Sequence, residues 1–474
     1  MLYRILFPKV LQSRHGNRNR TLKFKDLKGG YSMKLSQYNH IIPHNDEMLI
    51  FNAYRRGLHI IDQVTFNSLT LLEHNNPAWN SQIDDKTYQI LLSNGYIISD
   101  EVDEHQQILN GRLAIQNSHR SIDLTIAPTI DCNFGCPYCF EGGDKPQERM
   151  SAEVMISVVH FIKHLQNEDT QYINVTWFGG EPLLAMTQIT QLTNLIQSSL
   201  DDSIQFNASV ITNGYGLTRK IAQKLVDLHV HSAQITLDGT EEFHDARRFR
   251  LGGHPTFSQI VDNITNVYDL IQISIRVNVD KTNMHSFPEL VKDLNSRGLK
   301  DKVSIYPAFT REAQTGWNAS YNNMRDYTQE KINTHRQAMQ HGVHMLSYPS
   351  AVRLFCGSTR PTSWVIHPNG DLHKCWDTIN EQTEAVGNLI TEEMNETKLE
   401  KWVNWSPFNH EQCKRCNVMP LCMGGCAHLA FQNNGVPQCE EWKYGLHDAI
   451  KVWIEDRSRA KIVSKNLITG ENTI

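Results

Sequence analysis

Six β-like runs recur between residues 122 and 309, and a helical segment separates each from the next. The runs are Ile122 to Pro128, Ile173 to Phe178, Phe206 to Thr212, Ala233 to Asp238, Ile273 to Val279 and Val303 to Phe309. The clearest intervening helix is Ala152 to Leu165, where Val154, Val158 and Ile162 repeat every four residues behind Ser151 as N-cap. Six units of this spacing call for a parallel sheet, because parallel strands need a long crossover and a helix fills it. Such a sheet is either doubly wound or a partial barrel. The strand ends carry unusual residues: Cys132 after the first, Gly179-Gly180-Glu181 after the second, Asn213-Gly214 after the third and Asp238-Gly239 after the fourth. All four lie at C-terminal strand ends, the face on which α/β barrels build active sites.

The chemistry starts at the first of these ends. Cys132, Cys136 and Cys139 stand within eight residues, with Tyr138 before the last and Phe140 after it. One loop can bring three thiolates to one metal centre. Structural zinc normally takes four ligands, whereas three cysteines without a fourth leave one iron of a [4Fe–4S] cluster open to a small molecule. C-x3-C-x2-C followed by an aromatic resembles the motif of radical S-adenosylmethionine (SAM) enzymes. That resemblance implies a SAM-binding glycine motif at Gly179-Gly180-Glu181-Pro182, whose backbone edge and carboxylate hold the methionine amino group. Thr236-Leu-Asp238-Gly239 is similar to the family's fourth-strand S-x-D-G segment, with Thr replacing Ser. Arg276 and Asn278 on the fifth strand become expected ribose or carboxylate contacts, and Tyr138 joins the cofactor side.

The other seven cysteines are Cys356, Cys375, Cys413, Cys416, Cys422, Cys426 and Cys439. Alone, C-x2-C-x5-C-x3-C would also suit a zinc knuckle. Beside the first motif, their spacing resembles the SPASM extension of peptide-modifying radical SAM enzymes. The resemblance implies two auxiliary [4Fe–4S] clusters: Cys413, Cys416, Cys422 and Cys439 on one, Cys356, Cys375 and Cys426 on the other. No cysteine lies between Gly357 and Lys374, so the three-thiolate cluster is expected to keep an open iron or to take Asp371, His367 or His373. Asp377, just past Cys375, is the position expected to deprotonate a substrate thiol or amide, against its plainer reading as a polar loop residue. Most of the 22 histidines, including His244 and His428, are read as surface or hydrogen-bonding residues.

Upstream, Met48 to Tyr54 and Leu58 to Asp62 read as a hairpin around Arg55-Arg56-Gly57. Helical segments follow at Val64 to Leu72 and Lys86 to Ser93, then a short strand at Tyr96 to Ile98. This pattern suggests a winged-helix module. Residues 38–108 hold Arg55, Arg56 and Lys86 against ten acids, the wrong sign for a phosphate-binding surface. A peptide docking on the hairpin edge fits better, and the resemblance extends to PqqD-like recognition modules. Residues 1–30 carry eight bases against Asp26, which reads as a disordered basic tail, or as an upstream start with Met33 the true first residue.

The expected fold is therefore α/β: a partial (β/α)6 barrel with an N-terminal winged-helix-like module and a C-terminal cysteine-rich SPASM domain. Its bounds are a basic tail at 1–37, the module at 38–108, the core at 120–310, a helical linker at 311–349, the SPASM domain at 350–445 and a tail at 446–474. The net charge of −5 excludes a global basic field for nucleic acid, and no run is apolar enough for a membrane span. Ten cysteines without a secretory signal fit a reducing, cytoplasmic setting. What the resemblance implies is a peptide maturase with three [4Fe–4S] clusters and SAM. It would use a 5′-deoxyadenosyl radical on a ribosomally made precursor peptide with a leader, forming a thioether or C–C crosslink. A reductase such as flavodoxin or ferredoxin would supply electrons. A formylglycine-forming, sulfatase-maturase-like oxidase ranks second here, and a non-catalytic iron–sulfur or zinc scaffold third.

Overall fold

A computed structural model describes residues 32–139, 147–310, 320–321, 323–340, 347–352 and 356–459. Most of the expected basic tail, Phe140, parts of the expected linker and residues 460–474 lie outside them. Where β-branched and aromatic residues alternate with polar ones, strands form: β1 (Met33–Leu35), β2 (Asn39–His44), β3 (Glu47–Asn52), β4 (Leu58–Ile61) and β5 (Ile97–Ser99) in the N-terminal part. The expected hairpin is the pair β3–β4, and β2 adds a third antiparallel strand to it. The strand β1 pairs with β5, so the stretch assigned to the tail up to residue 37 already belongs to the module. Two helices, α1 (Gln63–Glu73) and α2 (Asp85–Ser93), start at Asp62 and Asp84, whose carboxylates accept from the backbone N–H of Thr65 and Thr87. A third, α3 (Glu104–Gln116), leads into the core.

The six expected core strands are present as β6 (Ser121–Ile126), β7 (Tyr172–Trp177), β8 (Gln205–Thr212), β9 (Val230–Leu237), β10 (Gln272–Val279) and β11 (Ser304–Phe309). They lie side by side in chain order, all parallel. A doubly wound sheet would reverse its order at a switch point, so the partial-barrel alternative is the one that matches. The crossovers carry α4 (Ala152–Leu165), α5 (Met186–Ser199), α6 (Arg219–Asp227), α7 (Glu241–Asp245), α8 (Phe257–Val267) and α9 (Phe287–Leu294). Strand residues under the helices are fully buried, among them Ile173, Val175, Val210, Ile235, Ile275 and Val277. The other face alternates polar: Asn174, Thr176, Asn207, Ser209, Gln234, Thr236, Ser274, Arg276 and Asn278. One face thus makes the core and the other a polar interior.

Two expectations change. First, the cysteine-rich part does not stand apart from the core. Strand β12 (Ser363–Ile366) pairs in parallel with β6, followed by β13 (Asp371–His373), β14 (Gly387–Asn388) and β15 (Glu393–Met394), which makes one ten-stranded mixed sheet. An incomplete barrel leaves the first strand's outer edge unpaired, and β12 satisfies it. Arg360 secures the junction by pairing with Asp123 and donating to the Ser118 and Ser121 carbonyls. Second, residues 446–459 are no tail. They continue α11 (Glu441–Arg459), which packs against α10 (Met324–Gln340) and buries Leu446, Ile450, Val452 and Trp453. No helix among the described residues is long and apolar enough to cross a membrane.

Candidate functional site

The loops after β6, β7, β8 and β9 meet at one end of the sheet. Gly179 (φ 110°) and Gly180 bring the β7 loop against the cysteine loop: a Cβ on Gly180 would sit 2.2 Å from the Ile130 carbonyl oxygen. The Glu181 N–H donates to the Asp131 carbonyl at 2.8 Å. Asn213, from the β8 loop, donates through Nδ2 to Asn133 Oδ1 at 2.8 Å. The Gly135 N–H reaches the Phe249 carbonyl at 2.9 Å, and the Leu251 N–H reaches that of Asn133 at 3.0 Å. Cys132 is buried, while Cys136 and Cys139 are half-buried. The segment carrying the three thiols is therefore held on three sides.

Glu181 does something other than what its motif suggests. Only 1% exposed, it accepts at Oε1 from the Leu183 N–H (3.0 Å) and Thr212 Oγ1 (2.7 Å), and at Oε2 from the Asn213 N–H (2.7 Å). Burial raises its pKa against the pull of these bonds. In this structure the carboxylate ties the β7 loop to the β8 loop, and its oxygens are already engaged by this chain rather than directed at a ligand amine.

Four other expected residues do come together. Tyr138 Oη accepts from Arg248 Nη1 at 2.9 Å and lies 3.5 Å from Asn278 Nδ2; Asn278 Oδ1 in turn accepts from Arg276 Nε at 2.9 Å. Fully buried Asp238 lies 4.0 Å from Arg247 Nη1, and Arg247 also pairs with Asp280. Burial pushes the Asp238 pKa up, opposed by Arg248 and Arg247. Burial also works against the Arg248 charge, but Tyr138, Cys136 and Asp238 outweigh it and raise its pKa. Thr236 lies in register with Arg276 on the same face. Arg247, Arg248 and Asp280 were not singled out from sequence, and Asn213 was noted only as a strand-end residue. The available signal was a pair of consecutive arginines closely following Asp238-Gly239.

The C-terminal thiols gather in two groups. Burial, followed by the neighbouring Cys422, Cys416 and Cys439, pushes the Cys413 thiol up to about 12. Cys375 is raised well above the ordinary range by burial, then Asp377, with Cys426 and Cys356 also contributing. These neighbours are the members of the two sets that the resemblance implies. Lys443 Nζ lies 3.7 Å from Cys416 Sγ, and Cys356 Sγ lies 2.9 Å from Ser358 Oγ. Of the four polar residues considered near Cys375, Asp377 is the one whose charge and backbone N–H act on its thiol. Asp371 accepts from Asn369 and Asn388, and His367 contacts Asn369. Buried His373 lies 3.4 Å from Thr378 Oγ1, with His367, Asp371 and Lys398 as its charged neighbours. Among the described residues no group of three or more His, Cys, Asp or Glu converges on a single metal ion. A cubane's thiolates go to different irons and need not converge, so three, three and four thiols fit as donor sets for such clusters.

Comparison with known proteins agrees with this geometry. Residues 126–294 match the family model of the Radical SAM superfamily. The cysteine-type anaerobic sulfatase-maturating enzyme of Clostridium perfringens is 21% identical over 341 residues, covering 64% of this chain and 88% of its own. The sporulation killing factor maturation protein SkfB of Bacillus subtilis is 26% identical over 184 residues, or 38% of this chain and 42% of its own. The solved structure of native anSMEcpe with bound AdoMet and Kp18Cys peptide superposes with a TM-score of 0.54 at 19% identity, over 72% of this chain and all of that one. The chain therefore carries a Radical SAM domain with peptide and sulfatase maturases among its relatives.

Proposed function

We propose that this chain is a radical SAM peptide maturase. Cys132, Cys136 and Cys139 would hold the first [4Fe–4S] cluster. Tyr138, Arg248, Asp238, Arg276 and Asn278 offer charged and hydrogen-bonding groups to SAM beside it. Bound together, cluster and SAM supply a hydrogen-abstracting radical, and the protein supplies orientation and exclusion of water. The observation that carries the reading is the meeting of the cysteine loop with that polar cluster at the C-terminal end of six parallel strands.

Two products fit. One is a thioether or C–C crosslink in a precursor peptide. The other is formylglycine made from a cysteine or serine; the named sulfatase-maturating relative supports this reading as well as SkfB, a maturation protein, supports modification of a precursor peptide. Neither product ranks above the other on these relatives. Either product oxidises the peptide, and the electrons need an acceptor within the protein. The two C-terminal cysteine groups fit that role, with Asp377 acting on Cys375 of the three-thiol group. The N-terminal sheet β2–β3–β4 would take the peptide's leader, and a flavodoxin or ferredoxin would reduce the first cluster.

The test is anaerobic reconstitution with SAM and reductant. 5′-Deoxyadenosine should form; its absence would favour a non-catalytic scaffold. With a cysteine peptide, loss of two hydrogens signals a crosslink, whereas replacement of the thiol sulfur by a carbonyl oxygen signals formylglycine. A serine oxidised to formylglycine also loses only two hydrogens, so there the aldehyde is read by hydrazone formation, which a crosslink does not give.

A further inference from the structure

The outer edge of β11 opens onto a cavity of about 240 Å³. Among the described residues no strand pairs with this edge. The bond from the Thr310 N–H to the Val279 carbonyl sets the parity of the strand. Residues 304, 306 and 308 turn their backbone groups toward β10, whereas Ile305, Pro307 and Phe309 turn theirs outward. Pro307 has no N–H to lose and so sits on the outward side, as proline does on edge strands. Three carbonyls and two N–H groups thus face away from the sheet.

Two helices frame the cavity. From α10 come Lys331 and Ile332, and from α11 come Glu441 and Trp442. Gly445 lets the helices close together, since a Cβ there would meet Thr328 Cγ2 at 2.4 Å. Tyr306 forms the wall on the strand side. Its register partners Arg276 and then Thr236 place it on the polar interior face that holds the site. On the other side, Glu441 follows Cys439 by two residues. The cavity therefore borders the polar interior on one side and, on the other, the first turn of the helix that follows Cys439.

Its chemistry favours one kind of occupant. Lys331 Nζ is bonded to Glu441 Oε2 at 2.7 Å with both side chains largely buried, at 17% and 28% exposure. A charged guest would compete with that pair for one of its partners and leave the other buried without a counter-charge. Tyr306, Trp442, Pro307 and Ile332 offer apolar and aromatic surface, and a lysine ammonium at the wall favours an aromatic face. We propose that this cavity is a specificity subsite that takes one uncharged aromatic side chain of an extended substrate peptide, whose backbone pairs with the outward groups of β11. The proposal rests on the peptide-acting reading above.

Saturation-transfer NMR on the full reconstituted chain tests it, with N-acetyl-tyrosinamide, N-acetyl-glycinamide and N-acetyl-aspartamide as probes. The tyrosine amide should receive saturation and the other two should not. Ser347→Trp, on an exposed position at the rim, should weaken its binding about tenfold, and Trp442→Ala should weaken it comparably. Equal transfer to all three probes, preference for the aspartate amide, or wild-type binding in Ser347→Trp would overturn the subsite. 5′-Deoxyadenosine formation is followed in the same samples without peptide. If it fails while the amide still binds, the functional reading is at fault and the cavity is not.

Discussion

Trp376 stacks on Phe178 with ring centroids 5.9 Å apart and planes 28° from parallel. Phe178 directly follows β7, just before Gly179-Gly180-Glu181, and Trp376 lies between Cys375 and Asp377. With the β12–β6 pairing, this contact holds the Cys375 loop against the end of the sheet where the first cysteine loop sits. Trp376 is 44% exposed, so the contact positions the loop more than it fills a core. Trp376→Ala should cost about 0.5–1.5 kcal/mol, with little loss of Tm. The EPR signal of one auxiliary cluster should change, and in a double-mutant cycle Phe178→Ala should add little further change.

Iron content tests the donor sets. Reconstituted wild type should bind about 12 Fe as three cubane clusters. Replacing Cys132, Cys136 and Cys139 by alanine should remove about a third and abolish SAM cleavage, while the two C-terminal groups keep their signals. Stoichiometric zinc in place of iron would refute the assignment.

Glu181→Gln probes the clamp between the β7 and β8 loops. An amide cannot accept from all three present donors, because its NH2 would face one of them. The expected loss is about 1–3 kcal/mol, read as a lower thermal midpoint. If stability is unchanged and only SAM affinity falls, the carboxylate belongs to the ligand after all.

Acidification should loosen the N-terminal module. His40, on β2, places its Nδ1 3.2 Å from His447 Nε2 and its Nε2 3.2 Å from the Asn417 carbonyl. Burial lowers the His40 pKa from 6.5 to about 4 and lowers that of His447 as well. Between about pH 6.5 and 4 the unfolded state binds protons that the folded state refuses, so stability rises with pH across this window and is lost on the way down. Lys443 near His40 and Lys451 near His447 oppose protonation further. Hydrogen exchange at residues 39–44 should speed up as pH falls through that range, and His40→Gln should flatten the response. A flat profile in wild type would remove the histidine contact as the cause.

Local periodicity was enough for much of the architecture. Helix α4 runs over the residues read from its four-residue apolar repeat and starts at Ser151, whose side chain accepts from the Val154 N–H. The six core strands appear within a few residues of their expected bounds, because period-two alternation reports a half-buried sheet directly. The two C-terminal cysteine sets came from the resemblance and not from loop length, since Cys426 is set with Cys356 some 70 residues away rather than with Cys422 beside it. Contacts between distant segments were not legible. Strand β12 is four residues long, and nothing in Ser363–Ile366 announces that it will satisfy the open edge of β6 some 240 residues earlier. Arg247 and Arg248 read as ordinary polar positions until folding turns them onto Asp280, Asp238 and Tyr138. The three hydrogen bonds that occupy Glu181 come from two different loops. Sequence by itself determined which segments are strands and helices, because those depend on near neighbours. Only the tertiary structure decided which charged groups share a buried site, because burial and long-range pairing depend on the whole chain at once.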